Sequence, residues 1–143
     1  MARKLLVALF ISLSVIGTAF SEDIFTAYRD ASGDFSDLSV ENLNKMRNKA
    51  KAEGAILVWV SFGIPFQGDP GLRTPEVEAS EAAALQAEYI AVVAPIVFSG
   101  DATVLERPQP TVPAPGYLLE VNHKGINSLS KHPHVKHIGY LPK

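Results

Sequence analysis

The side chains best suited to chemistry gather near the C-terminal end, where His132, His134 and His137 lie close together and His123 precedes them. Neutral imidazole is a good ligand for zinc, so such a group is the first place to look for a metal centre. On an extended strand, however, His134 and Lys136 point one way and His137 the other, so the imidazoles do not converge without distortion and no metal or other cofactor is expected. The chain has no cysteine, which removes thiol catalysis, thiolate metal sites and disulfides together. No serine sits in a nucleophile elbow, and there is no zinc-binding helix motif and no glycine-rich phosphate loop. Glu76, Glu78 and Glu81 read as one solvated helix face and not as paired catalytic carboxylates. The expectation is a protein that binds and does not catalyse.

A binding protein must be folded and delivered, and the first residues speak to delivery. Arg3 and Lys4 precede an apolar run from Leu5 to Phe20 broken only by small residues. That is the order of an export signal. Sixteen helical residues reach roughly 24 Å, short of the ~30 Å hydrocarbon core of a bilayer, so a retained anchor is disfavoured. Ala19-Phe20-Ser21 places small residues where signal peptidase needs them, so residues 1–21 are expected to be removed, giving a secreted or periplasmic protein with no membrane attachment. About 120 residues then remain, enough for one domain with its own core.

Charge narrows the partners. The full chain carries a formal charge of −2, and losing Arg3 and Lys4 makes the remainder more acidic, which argues against nucleic acid. Acids crowd residues 22–37, whereas after Glu120 there is only Lys124, Lys131, Lys136, Lys143 and the four histidines. The two ends therefore carry opposite charge, as two solvated surfaces or as a basic end that faces an acidic partner.

The elements that must present any binding surface follow from periodicity. Residues 22–38 are acidic, rich in Ser, Gly and Asp and without a steady period, and are expected to be a poorly ordered leader. Ser39 is expected to cap a helix over residues 39–54, with Val40, Leu43, Met46 and Ala50 on one side and Gly54 as its stop, packed on the domain and not part of its core. From Ala55 to Phe62 alternation sets Ile56, Val58, Val60 and Phe62 on one face and Leu57, Trp59 and Ser61 on the other. Gly63 to Arg73 is a loop, and Thr74-Pro75-Glu76 opens a long helix with Leu85, Tyr89, Val92 and Ile96 inside and Glu78, Glu81 and Glu88 outside. Pro95 is expected to kink its last turn and Gly100 to end it.

A short strand over Thr103 to Arg107 precedes prolines 108, 110, 113 and 115, which enforce a stiff extended connection. Gly116 to Val121 alternates again, Tyr117, Leu119 and Val121 against Leu118 and Glu120. Asn122 caps a short helix carrying Ile126 and Leu129, and a final strand runs from about Val135 to Leu141. The order strand, helix, strand, strand, helix, strand predicts an α+β fold, ferredoxin-like βαββαβ, with a four-stranded antiparallel sheet, two helices on one face and an extra N-terminal helix before it.

Residues 55–143, and within them 55 to 141, resemble the propeptide domain of subtilisin-like serine proteases and its free-standing relatives that inhibit such proteases or help them fold. The resemblance is carried by Val58-Trp59-Val60-Ser61-Phe62 with Ile64-Pro65-Phe66, by Thr103-Val104-Leu105-Glu106-Arg107, and by the stretch from Tyr117-Leu118-Leu119-Glu120-Val121 through Leu129 to His132-Pro133-His134-Val135-Lys136-His137-Ile138. It implies that the outer face of the sheet packs on two surface helices of the protease, and that the C-terminal tail enters the substrate cleft as an added strand. Carried onto this chain, the docking face is Leu57, Trp59, Leu118, Glu120, His137 and Gly139, with Tyr140 and Leu141 as apolar anchors where the family commonly has acids able to cap protease helices. By that alignment the chain stops about four residues before the family's cleavage point, some 13 Å of extended chain.

The reading is thus a secreted non-enzymatic domain, monomeric when free, that binds a subtilisin-like serine protease as inhibitor or folding assistant. A ferredoxin-like binding module for another ligand or partner, or a propeptide relic without a protease, are the alternatives.

Overall fold

The computed structural model describes residues 24–62, 74–108 and 116–143. The expected export signal, the glycine- and proline-rich loop with its Ile64-Pro65-Phe66 sequence, and most of the proline run lie outside those residues.

Among the described residues the fold is α+β, with a five-stranded antiparallel sheet and three helices. The strands are β1 (Thr26–Tyr28), β2 (Ile56–Ser61), β3 (Ala102–Glu106), β4 (Gly116–Val121) and β5 (His137–Leu141), in the spatial order β1-β5-β2-β4-β3. The helices are α1 (Asp37–Glu53), α2 (Pro75–Phe98) and α3 (His123–Lys131). β2 is central: it pairs with β4 from Ile56 opposite Val121 to Ser61 opposite Gly116, and with β5 from Leu57 opposite Leu141 to Ser61 opposite His137.

Alternation sorts the strands as their sequences require. Ile56, Val58, Val60, Tyr117, Leu119, Val121 and Ile138 are buried on one face with Met46, Val92, Val93, Ile126 and Leu129 of the helices. Each fully buried aliphatic side chain there is worth roughly 1.5–3 kcal/mol against exposure. By length and composition α2 is apolar enough to cross a membrane, yet Leu85, Val92, Val93 and Ile96 are among its buried residues.

Several expectations need correcting. The acidic stretch 22–38 is not simply a loose leader, because Thr26–Tyr28 pairs with β5, Thr26 opposite Gly139 and Tyr28 opposite His137, and Ala27 is fully buried. Arg29 bridges to Phe35, and between them Asp30 Oδ1 accepts hydrogen bonds from the backbone of Ser32 at 3.0 Å and Asp34 at 3.1 Å and from Ser32 Oγ at 2.6 Å. These bonds, led by the Ser32 hydroxyl, hold the Asp30 carboxyl below its usual range. The loop is an Asx-type turn with Gly33 at φ +95°, a conformation glycine adopts freely.

The cap of α1 is Ser36, which accepts from Ser39 N, and not Ser39. Ser39 is buried one turn later, and its hydroxyl accepts from Tyr28 N at 3.0 Å and donates to Tyr28 O at 2.9 Å. Asn42 Nδ2 donates to Thr26 O at 2.5 Å, so α1 closes the free edge of β1 through side chains. With Leu43, Met46 and Ala50 in the core, α1 is an integral layer and not an accessory, and it packs along α3 and β1.

Glu81, expected on the solvated side of α2, is buried. Pro95 acts one turn earlier than a simple kink: residues Tyr89–Val93 form a π turn in which Ala94 N bonds Tyr89 O. A proline has no N–H and its ring collides with the carbonyl four residues back, and a widened turn accommodates both. β3 runs from Ala102 and shifts register between Val104 and Glu106 opposite Leu118, so Leu105 is a bulge residue at the sheet edge. Asn122 caps α3 as expected, accepting from Gly125 N at 2.9 Å.

Candidate functional site

Seven of the eight residues assigned to a binding surface fall on one face, the side of the sheet away from the helices. Register dictates this: Leu57 lies between Glu120 and Leu141, and Trp59 between Leu118 and Gly139. His137 shares the face two residues before Gly139. Tyr140 does not. It pairs with Val58 on the core side, is 4% exposed, and stacks on Phe25 at 4.8 Å with Lys49 Nζ 5.2 Å from its ring. Two consecutive strand residues cannot face the same way, so of the pair Tyr140 and Leu141 only Leu141 is available outside.

Trp59 is half-buried although no helix among the described residues covers it. The reason is the floor beneath its ring. A Cβ on Gly116 would stand 2.5 Å from Trp59 Cε2 and Nε1 and 2.7 Å from Val60 O, so the indole lies down across the place where a side chain is missing. Gly139, opposite Trp59 on the other flank, is a second gap, with a Cβ there 3.1 Å from the His137 ring and 3.3 Å from Thr26 Cγ2. Glycines on both neighbouring strands thus flatten the centre of the face. Around Trp59 run Leu57, Leu118 and Leu141, and at the far edge Tyr28 tilts over His137 with ring centroids 4.6 Å apart. Tyr28 is 59% exposed. It belongs to the strand that sequence reasoning treated as leader; Phe25 to Tyr28 has the right residue types for a strand, but three paired residues are too few to reveal a period of two.

Charge on this face is sparse. Lys143 Nζ lies 3.6 Å from Glu120 at the solvent edge, and His137 Nε2 is buried without a hydrogen-bond partner. Burial pushes the His137 imidazole below its usual pKa. Its proton is therefore bound more weakly in the folded chain than in the unfolded one, so stability is complete above about pH 6.5 and declines as pH falls through the interval between that value and the lowered folded pKa. His132 is shifted the same way, by burial first and by His134 second. Urea unfolding at pH 7.5 and pH 5.5 should show lower stability at the acid value, and His137→Phe should reduce that difference; an unchanged difference in the variant would assign it to other groups.

His132 and His134 meet each other away from His137. His134 Nδ1 meets Glu88 Oε2 at 2.9 Å, with the His132 ring 5.1 Å away in an edge contact. Residues 132–136 form a turn and not a strand, and Arg29 holds it: Nε bonds Val135 O at 2.8 Å, and Nη2 bonds His132 O at 3.1 Å and, in the last turn of α3, Ser130 O at 2.8 Å. Among the described residues, no group of three His, Asp or Glu side chains is placed to hold a metal ion.

Chemically, this arrangement can remove apolar area from water against a flat partner, a gain of about 25 cal/mol per Å², with Trp59 as the large central anchor. The chain matches no family model, no curated protein and no solved structure.

Proposed function

We propose that the protein is an exported, non-enzymatic docking domain whose outer sheet face binds a subtilisin-like serine protease, as an inhibitor or as a folding assistant. On this reading residues 1–21 are its export signal. Strands β2 to β5, in the order β5-β2-β4-β3 with α2 and α3 as the crossovers, form a ferredoxin-like core to which β1 and α1 are added. One observation carries the reading: a continuous sheet face with no helix of the described residues on it, flattened by Gly116 and Gly139 and centred on the chain's single tryptophan. Leu57, Trp59 and Leu118 reach solvent only in part, and Leu141 and Tyr28 are exposed beside them; apolar surface of this kind supports an interaction site, and the sequence resemblance over residues 55 to 141 suggests the partner class. Inhibitor and assistant share one physical basis, since a surface complementary to the native protease stabilises it in either role.

The test is titration of the purified protein against a panel of subtilisin-like proteases, reading initial rates and, separately, the yield of active protease on refolding. Inhibition or improved refolding of at least one is expected, with Trp59→Ala weakening the effect about 30-fold, the loss of a central aromatic anchor. Unchanged rates and yields across the panel, or a Trp59→Ala variant as effective as the parent, would remove the proposal.

A further inference from the structure

On the opposite side of the sheet, where the N-terminal half of α2 passes the end of β3 and the start of β4, a cavity of about 150 Å³ is lined by Ala82, Leu85, Gln86, Arg107, Pro108 and Tyr117. We propose that it is a binding site for a small aliphatic carboxylate, the anion held between the Arg107 guanidinium and the Tyr117 hydroxyl and the hydrocarbon tail on Leu85, Ala82 and Pro108.

Tyr89 prepares both polar groups. The Arg107 guanidinium carbon rests 4.8 Å from the centroid of the Tyr89 ring, and the Tyr117 ring stacks on Tyr89 at 5.9 Å while meeting Phe62 edge-on at 5.7 Å. One aromatic ring therefore packs on both the cation and the ring that carries the hydroxyl, two residues of the same lining, which lowers the ordering cost of binding. Among the described residues no carboxylate pairs with Arg107 and no side chain bonds the Tyr117 hydroxyl, so both have capacity to spare. Tyr117 is almost wholly buried, and burial raises its pKa, which keeps the hydroxyl protonated as a donor. Guanidinium offers a planar fork for a carboxylate, and Gln86 adds amide donors at the rim.

Size and lining then select the ligand. A volume of about 150 Å³ equals about five water molecules, room for a short branched acid. Leu85, Ala82 and Pro108 give a hydrocarbon tail an apolar footing beside the polar groups. Such a carboxylate is found on a free short-chain acid and on the C-terminal leucine of a peptide, and the experiment separates the two.

Backbone amide shifts of the protein would be followed by two-dimensional NMR during titration with isovalerate, with acetyl-alanyl-leucine as the free acid, with the same dipeptide as its amide, and with isoamyl alcohol. Saturable shifts at Gln86, Arg107 and Tyr117 are expected with isovalerate, absent with the alcohol and the amide, and weakened at least tenfold by Arg107→Gln. The exposed Arg107 side chain makes that variant safe for folding, and Tyr117→Phe, which keeps the ring, should weaken binding severalfold. Saturation by the dipeptide acid as well assigns the site to peptide C-termini, and its failure there assigns it to free acids. No saturable shift with either acid, or equal binding by Arg107→Gln, overturns the proposal, whatever the outer face of the sheet proves to bind.

Discussion

Arg29→Ala is expected to lower the unfolding free energy by about 2–4 kcal/mol, the range for removing one partner from a partly buried set of charge-assisted hydrogen bonds. Besides its bonds to Val135, Ser130 and His132, Nη1 donates to Gly33 O at 2.5 Å, and the guanidinium lies 4.3 Å from the centroid of the Phe35 ring. One side chain thus joins the end of β1, the loop before α1, the last carbonyls of α3 and the turn into β5. A cation at the C-terminal end of α3 also opposes the helix dipole there. The substitution would leave those carbonyls half-desolvated and unpaired. Arg29→Lys should recover only part of the loss, because an ammonium group cannot serve carbonyls arranged around a planar fork. Urea unfolding followed by the fluorescence of Trp59 measures both, and a loss below about 0.5 kcal/mol for alanine would mean that residues 24–35 are not integral to the fold. A Tm lower by roughly 10 °C is the thermal equivalent for a chain of this size.

Gly116→Ala should cost about 2–3 kcal/mol, at the upper end for overpacking one methyl group. Two obstacles decide the magnitude: the indole of Trp59 at 2.5 Å, which can swing outward, and the carbonyl oxygen of Val60 at 2.7 Å, which is backbone in the central strand and cannot. Gly139→Ala is the internal control. Its new methyl would meet the His137 ring at 3.1 Å and a Thr26 methyl at 3.3 Å, contacts that side chains relieve by a few tenths of an ångström, so its cost should stay below about 1 kcal/mol. The two variants also separate stability from the shape of the face. Gly116→Ala should shift Trp59 emission to longer wavelength as the ring lifts into solvent, and Gly139→Ala should leave it near the parent value. Equal costs for both, or an unmoved emission maximum in Gly116→Ala, would show that the ring does not rest on Gly116.

How much of this was legible beforehand depended on element length. β2 and β4 were readable nearly to the residue, because six alternating positions rich in Val, Leu, Tyr and Trp leave one phase that buries the aliphatic side chains. That phase also placed Leu57, Trp59, Leu118 and Glu120 outside. Asn122 and Thr74 were readable as caps because a short polar acceptor stands just before each helix. Register, in contrast, is a long-range property. Nothing local in Phe25 to Tyr28 says that it will lie against His137 to Gly139, more than a hundred residues away, and nothing in Arg29 says that its bonds are to the carbonyls of residues 130 to 135. Tyr140 and Leu141 could be told apart only once β5 was paired with β2.

The sequence alone therefore determined the three helices and four of the five strands to within a few residues, and which side of β2 and β4 is apolar enough to be buried, since those follow from periodicity and from the steric limits on each residue type. The tertiary structure decided that α1 belongs to the core, that a fifth strand extends the sheet, and that Gly116 forms the floor under Trp59, because each depends on two distant stretches of chain meeting in one register.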